Sequence, residues 1–222
     1  LSPETIDSYE AVVSYNDKRI GFAVTGFINH TENAMYRGQT PGGQAIVQNI
    51  DGTIDAKGFE IEASVVPLAT TKHIVKITGN YATATVDLPL TTTGTTNTDT
   101  IAGGRPYNTP TQKFNLIGTY TFLNPIKLTC AIIYTHTSSY NVGGYSPWRT
   151  SGSDADDFNG KYGGQNLVDL NITGELTKNL GLELQVRNVM NNSYITPAFF
   201  QSRKLNVPGA GRSFLATISY KF

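Results

Sequence analysis

Hydrophobic and polar residues alternate along most of this chain with a period of two. The C-terminal segment is typical, with apolar side chains at the even positions from 214 to 222 and polar ones at the odd positions from 217 to 221. Because successive side chains of a strand point to opposite faces, this pattern predicts strands with one apolar and one polar face. Nine such strands are predicted, at residues 8–15, 19–29, 57–66, 73–83, 112–122, 126–136, 166–176, 180–189 and 212–222.

The connections between these segments alternate strictly between short and long. Tight turns are predicted at 16–18, 67–71, 123–125 and 177–179, and long polar loops at 31–52, 88–111, 138–165 and 190–211. In an up-and-down meander, all the turns then lie at one end and all the loops at the other. Outer-membrane barrels have this layout, with short periplasmic turns and long extracellular loops. The predicted fold class is therefore all-β, a transmembrane antiparallel up-and-down β-barrel.

Two soluble folds also contain alternating strands. Strands of β-sandwiches are usually nearer five or six residues long, and a lipocalin-like barrel has no reason to segregate its loops by length. Either fold would have to cover an apolar face on nine long strands. Single-chain bacterial barrels have an even number of strands, and the first predicted strand starts at the long-loop end. We therefore expect upstream strands that this chain lacks.

Composition and charge narrow the possible functions. The 17 basic and 17 acidic side chains cancel, which excludes the basic face that a nucleic-acid-binding protein needs. Charged residues are 15% of the chain, against about 25% in ordinary soluble domains. Cys130 is the one cysteine, so no internal disulfide is possible, and we expect it to face lipid. No apolar run is long enough for a transmembrane helix, and no leader peptide is visible.

Four sequence segments resemble the TonB-dependent outer-membrane receptors. They are LSPET at 1–5 with SYE at 8–10, GFEIE at 58–62, RNVMNNSY at 187–194, and PGAGRSF at 208–214 followed by YKF at 220–222. Their order and spacing match the C-terminal part of the family's barrel over the whole chain, residues 1–222.

The resemblance implies a 22-strand barrel, with strands 14–22 in this chain and with a plug domain and upstream strands outside it. It implies a protein of the Gram-negative outer membrane, surrounded by lipid, that takes up a scarce large solute, a ferric siderophore or haem-type iron complex. The partners implied are the protein's own plug, the TonB complex acting through that plug, and a small-molecule ligand. A passive porin-like channel and a surface-binding barrel without transport remain alternatives.

Aromatic and arginine side chains in the long loops are the ligand-binding candidates, because aromatic faces stack on planar ligands and arginine pairs with carboxylates. They are Tyr36, Arg37, Arg105, Tyr107, Tyr140, Tyr145, Trp148 and Arg149. Charged side chains on the polar face of the strands are expected to face the lumen or the plug. They are Glu10, Glu60, Glu62, Lys76, Lys113, Glu175, Glu183 and Arg187, with Lys127 and Asp169 on the same face.

The final strand, with an aromatic last residue, resembles the signal read by the barrel-assembly machinery, through Phe214, Tyr220 and Phe222. No catalytic constellation and no cofactor site is apparent, so the protein is not expected to be an enzyme. His30, His73 and His136 are on different strands. Asp154, Asp156, Asp157 and Asn159 offer hard oxygens but lack the spacing of a calcium loop. No metal site is predicted.

Overall fold

A computed structural model describes residues 1–39, 44–49, 52–87, 100–101, 105–106, 109–141, 161–162, 164–200 and 203–222. All regular structure in these residues is β. Nine strands form one antiparallel sheet in the order of the chain. They are β1 (Thr5–Asn16), β2 (Ile20–Glu32), β5 (Thr53–Ala69), β6 (His73–Asp87), β9 (Gln112–Phe122), β10 (Lys127–Thr137), β13 (Gln165–Glu175), β14 (Leu180–Arg187) and β17 (Ser213–Tyr220).

All nine predicted strands are confirmed, and so are their two faces. Directly paired residues of an antiparallel ladder point to the same side of the sheet. One row can be followed across six strands, from Ile77 through Gly118, Ile132 and Leu170 to Val186 and Phe214. A neighbouring row on the opposite face contains Thr121, Thr129, Thr173, Glu183 and Thr217. The apolar positions predicted on separate strands therefore form one continuous face.

The long connections differ from the prediction of loops without regular structure. Each contains a short antiparallel pair of strands. These pairs are β3 (Met35–Gln39) with β4 (Ala45–Asn49), β7 (Thr100–Ile101) with β8 (Arg105–Pro106), β11 (Tyr140–Asn141) with β12 (Lys161–Tyr162), and β15 (Ile195–Phe200) with β16 (Arg203–Pro208). The hairpin legs lack the regular apolar alternation of the long strands, and so the sequence pattern misses them.

The predicted turn at 67–71 is also shorter in the structure. β5 continues to Ala69, because the ladder with β6 shifts register between Val65 and Leu68. Such a bulge inserts an extra residue into one strand. Val65 pairs with Ile77 and Leu68 with Val75, so the bulge brings Leu68 back to the apolar face. Pro67, which has no amide proton to donate, lies inside the bulge.

Three of the tight turns have the same hydrogen-bond pattern. Asp17, Thr70 and Thr177 each accept, through a side-chain oxygen, the backbone N–H groups two and three residues further along. Each also donates its own N–H to the carbonyl three residues on. Asp and Thr side chains favour this geometry because they replace a missing backbone partner. These residues thus fix where each strand reverses.

Candidate functional site

The apolar face of the sheet is open along its whole length. Among the described residues no side chain is fully buried, and large apolar groups on this face stay exposed, with Ile132 at 56%, Phe214 at 73% and Ile218 at 74%. Within the described ranges, no second layer of structure covers the face. Cys130, free and half-buried, pairs with Ile172 on this apolar face.

Aromatic pairs border the apolar face at both ends. At the loop end, the ring centroids of Phe59 and Tyr81 are 5.8 Å apart, and Phe114 and Tyr134 are 6.0 Å apart. Phe114 and Phe122 delimit the face on β9 and are about 27 Å apart along the strand. Aromatic rings at both borders of an apolar band are typical of strands in outer-membrane barrels.

At the turn end, the His73 ring lies 5.9 Å from that of Tyr120 and 5.4 Å from that of Phe122. Tyr15 and Phe22 are 6.0 Å apart. Tyr220 and Phe222 meet edge-on at 5.1 Å. The proposed assembly-signal residues Phe214 and Tyr220 thus lie on the apolar face, with Phe222 beyond the end of β17.

The opposite face contains every charged residue that the sequence predicts there. Strand register gives one common side to Glu10, Glu60, Glu62, Lys76, Lys113, Lys127, Asp169, Glu175, Glu183 and Arg187. Lys127 and Glu175 form an ion pair with an N–O distance of 2.7 Å. Glu183 accepts a hydrogen bond of 2.6 Å from Gln185. In the described part of the chain, no ion pair is formed by Glu10, Glu60, Glu62, Lys76 or Lys113.

Two polar grooves lie on this charged face toward the turn end. One, of 440 Å³, is lined by residues that include Glu62, Lys76 and Asn80. The other, of 370 Å³, lies beside the Lys127–Glu175 pair and includes Glu183. Both grooves combine charged groups with small hydroxyl side chains. Such surfaces suit water or the polar side chains of an enclosed domain.

The ligand-binding candidates lie at the loop end as far as the structure describes them. Tyr36 and Arg37 are in β3, Arg105 is in β8, and Tyr140 is in β11. The Tyr140 side chain is 8% exposed, so little of its ring is accessible to a ligand. Tyr107, Tyr145, Trp148 and Arg149 lie outside the described residues, as do Asp154, Asp156, Asp157 and Asn159.

His30 lies near the loop end of β2, and its Nδ1 is 2.5 Å from Asp55 Oδ1. His73 bonds the Tyr120 hydroxyl at 2.7 Å, and His136 bonds Asn166 Oδ1 at 2.8 Å. Within the described ranges, no group of three or more His, Cys, Asp and Glu residues is arranged to hold a metal ion. The same residues contain no helix long and apolar enough to cross a membrane.

Sequence reasoning missed an asparagine anchor at the base of the last hairpin. Asn188 is 4% exposed. Its side chain donates to the carbonyls of Asn192 and Ala210, at 2.9 and 3.2 Å, and accepts the Asn192 N–H at 2.9 Å. Its backbone N–H donates to Asp169 Oδ1 at 2.7 Å. The Asn188 side chain therefore ties the segments before and after the β15–β16 hairpin to the end of β14, and its backbone N–H adds a link to β13.

The anchor accounts for two of the sequence segments noted above. Asn191 Oδ1 accepts the Arg212 N–H at 3.0 Å, which links RNVMNNSY to PGAGRSF. Asn188 and Asn191 have φ values of 51° and 53°, a region that asparagine tolerates better than most residues. A Cβ on Gly209 would collide with the Tyr194 ring. The asparagine-rich end of β14 was the available signal.

The fold resembles several solved receptors at low sequence identity. The ferric-catecholate import receptor Fiu from E. coli K12 is 20% identical with a TM-score of 0.68, covering 100% of this chain and 28% of its own. The FrpB iron transporter from Neisseria meningitidis is 18% identical with a TM-score of 0.69, and the match covers 99% of this chain and 31% of the transporter. The copper transporter OprC is 17% identical with a TM-score of 0.67, and the match covers 100% of this chain and 31% of the transporter.

The chain thus spans about three-tenths of the length of these structures. A comparison with curated protein sequences found no match. The family model described as "TonB dependent receptor-like, beta-barrel" matches residues 1–189. That match covers eight of the nine strands of the sheet, and the register of those strands gives the two faces that a barrel wall requires. The chain belongs to the TonB-dependent receptor β-barrel family.

Proposed function

We propose that this chain is the C-terminal portion of a receptor that takes up a scarce, large solute across the Gram-negative outer membrane. The TonB complex drives this uptake by acting on a plug domain. The observation that carries the proposal is the continuous apolar face opposite a charged face, over nine strands of one sheet. Such a sheet suits a wall between hydrocarbon and a polar interior. Family membership adds the coupling to TonB.

The solute that we propose is a ferric siderophore or haem-type iron complex. Support comes from the similar structures, among them an import receptor for ferric catecholates and an iron transporter. A copper transporter has the same fold, so the wall of the barrel does not select the cargo. Selection is left to the loop end, through Tyr36, Arg37, Arg105, Tyr107, Tyr145, Trp148 and Arg149. Tyr140 is buried and is no longer proposed to contact the solute.

The charged face is proposed to line the lumen against the plug. Glu10, Glu60, Glu62, Lys76 and Lys113 have exposed side chains and no ion pair among the described residues. A carboxylate or ammonium group without a partner is favourable only in contact with water or an opposite charge. A hydrated plug surface supplies both. The outer-membrane lipid takes the other face, and the barrel-assembly machinery is the proposed partner of Phe214, Tyr220 and Phe222.

Uptake in cells with and without the TonB complex tests the proposal. Iron-loaded siderophores of the catecholate, hydroxamate and citrate classes and haem are offered to a strain that expresses the full-length protein. We expect at least one to accumulate only when TonB is present. A small solute that enters through general porins is the control and should accumulate equally in both strains. Equal uptake of the iron complex without TonB would indicate a passive channel, and binding without uptake a surface receptor.

A further inference from the structure

The end of the sheet that contains the tight turns has an excess of cations. We define the turn rim as residues 16–20, 70–73, 123–127, 176–180 and 221–222. Backbone hydrogen bonds join its parts, from Leu123 N–H to the Lys72 carbonyl at 2.8 Å and from Lys221 N–H to the Asn179 carbonyl at 2.9 Å. The lysines of the rim with exposed side chains and no ion pair in the described part of the chain are Lys18, Lys72, Lys178 and Lys221.

The two carboxylates nearest these lysines already have partners. Asp17 accepts the backbone N–H groups of Arg19 and Ile20, both at 2.7 Å, and the Tyr15 hydroxyl at 3.0 Å. Glu175, at the end of β13 beside the rim, is paired with Lys127. The rim contains five lysines and Arg19 against the single carboxylate of Asp17, and Glu175 beside it offsets only Lys127, so the rim presents a net positive charge.

The rim lies directly beyond the aromatic border of the apolar face. Lys72 precedes His73, which packs against Tyr120 and Phe122. In the sequence, Lys221 lies between Tyr220 and Phe222. The ring centroids of these two aromatic residues are 5.1 Å apart. Tyrosine and tryptophan side chains of membrane proteins are enriched at the level of the lipid headgroups. A lysine next to them extends its ammonium group to the phosphate layer while its methylene chain stays along apolar surface.

We propose that the turn rim binds anionic glycerophospholipids of the periplasmic leaflet. The headgroup phosphate accepts hydrogen bonds from the ammonium groups of Lys18, Lys72 and Lys178, and the acyl chains lie along the neighbouring aromatic and aliphatic side chains. Lysine binds phosphate as a compact charge with three donors. The occupant follows from the positive charge and from the continuity of the rim with the lipid-facing surface. The inference rests on the proposed outer-membrane location and orientation of the barrel and is independent of any transported solute.

The experiment measures which lipids surround the protein. Full-length protein is reconstituted in phosphatidylcholine vesicles that contain a minority of spin-labelled phosphatidylglycerol, with labelled phosphatidylcholine as the comparison. We expect phosphatidylglycerol to be enriched in the boundary layer. Attraction to an anionic surface is worth about fivefold in affinity per lysine. The triple variant Lys18→Gln, Lys72→Gln, Lys178→Gln is therefore expected to lose most of the enrichment, while Lys221 stays unchanged to preserve the C-terminal strand.

The matched control removes three cations of the charged face, through Lys76→Gln, Lys113→Gln and Arg187→Gln, and should keep the enrichment. Equal loss in both triple variants, or no phosphatidylglycerol preference in the unsubstituted protein, overturns the proposal. If the unsubstituted protein shows no preference for phosphatidylglycerol, an acidic protein becomes the candidate partner of the turn rim. If the rim variant does not fold, the lipid preference of the unsubstituted protein is measured at about 1 M salt. Screening at this concentration must abolish a preference that is based on exposed charges. A preference that persists there also overturns it.

Discussion

Asn188 is the residue whose environment depends most on contacts remote in sequence. Replacement by Ala removes three side-chain hydrogen bonds. It also places at a φ of 51° a residue whose side chain can form no hydrogen bond to offset the cost of the left-handed conformation. We expect Asn188→Ala to lower the free energy of unfolding by about 2–4 kcal/mol, measured by urea unfolding in lipid vesicles. Protease cleavage within 195–208 should increase as well.

The neighbouring Asn192 is the control for this variant. Its side chain is exposed and donates one hydrogen bond, to the Asn166 carbonyl at 2.7 Å, while its backbone groups continue to bond Asn188 after substitution. Asn192→Ala should therefore cost at most about 1 kcal/mol. Equal costs at the two positions would contradict the anchor role of Asn188.

Asp17 gives one turn a dependence on pH. Hydrogen bonds from the backbone N–H groups of Arg19 and Ile20 and from the Tyr15 hydroxyl hold the pKa of this carboxyl below its usual value. A lowered pKa means that the folded state favours the carboxylate. Its contribution to stability is complete above the ordinary aspartate pKa, and it is lost as the pH falls below about 4 and through the folded-state pKa.

The variant Asp17→Asn separates this charge effect from the turn itself. An asparagine accepts the same backbone N–H groups and does not titrate. We expect the protein with Asp17 to be the more stable near neutral pH, and the difference to vanish in acid, as measured by urea unfolding at a series of pH values. A difference that stays constant down to about pH 2 would show that the carboxylate contributes nothing specific.

At the scale of the strand, β10 offers a direct test of which face meets lipid. Ile132 pairs with Gly118 and Leu170 on the apolar face, and Thr129 pairs with Thr121 and Thr173 on the opposite one. Ile132→Arg near mid-strand should cost about 2–4 kcal/mol in folding into vesicles, whereas Thr129→Arg should be mild. Similar costs for the two variants would contradict this assignment of the faces.

The strands were predictable because a one-residue shift of register would move every apolar side chain of a strand to the polar face. Residues 112–122 and β9 accordingly have the same bounds, and β10 differs from its prediction by one residue at each end. The bulge at Val65 and Leu68 was not predictable, since it depends on how β5 pairs with β6. The Asn188 anchor was missed for the same reason, because its partners Asp169 and Ala210 lie about 20 residues away.

At the scale of the whole molecule, the position of β17 bears on its proposed role in assembly. β17 is an edge of the nine-stranded sheet, and its terminal aromatic Phe222 is fully exposed beyond the last ladder pair. Phe222 contacts the ring of Tyr220, and the preceding Lys221 is held by two hydrogen bonds with Asn179. The terminus is thus fixed next to a turn while the final ring stays available. This arrangement suits a signal that another protein recognises during insertion.

Replacing Phe222 distinguishes recognition from packing. If the ring is read by the assembly machinery, Phe222→Ala lowers the amount of protein in the outer membrane of cells but leaves spontaneous folding into vesicles nearly unchanged. Phe122→Ala is the comparison, since Phe122 borders the same end of the apolar face and contacts His73 at 5.4 Å but is internal to the chain. It should affect folding in vesicles and in cells to the same extent. If the Phe222→Ala protein folds poorly both in vesicles and in cells, Phe222 acts as a lipid-facing aromatic residue and not as a recognition signal.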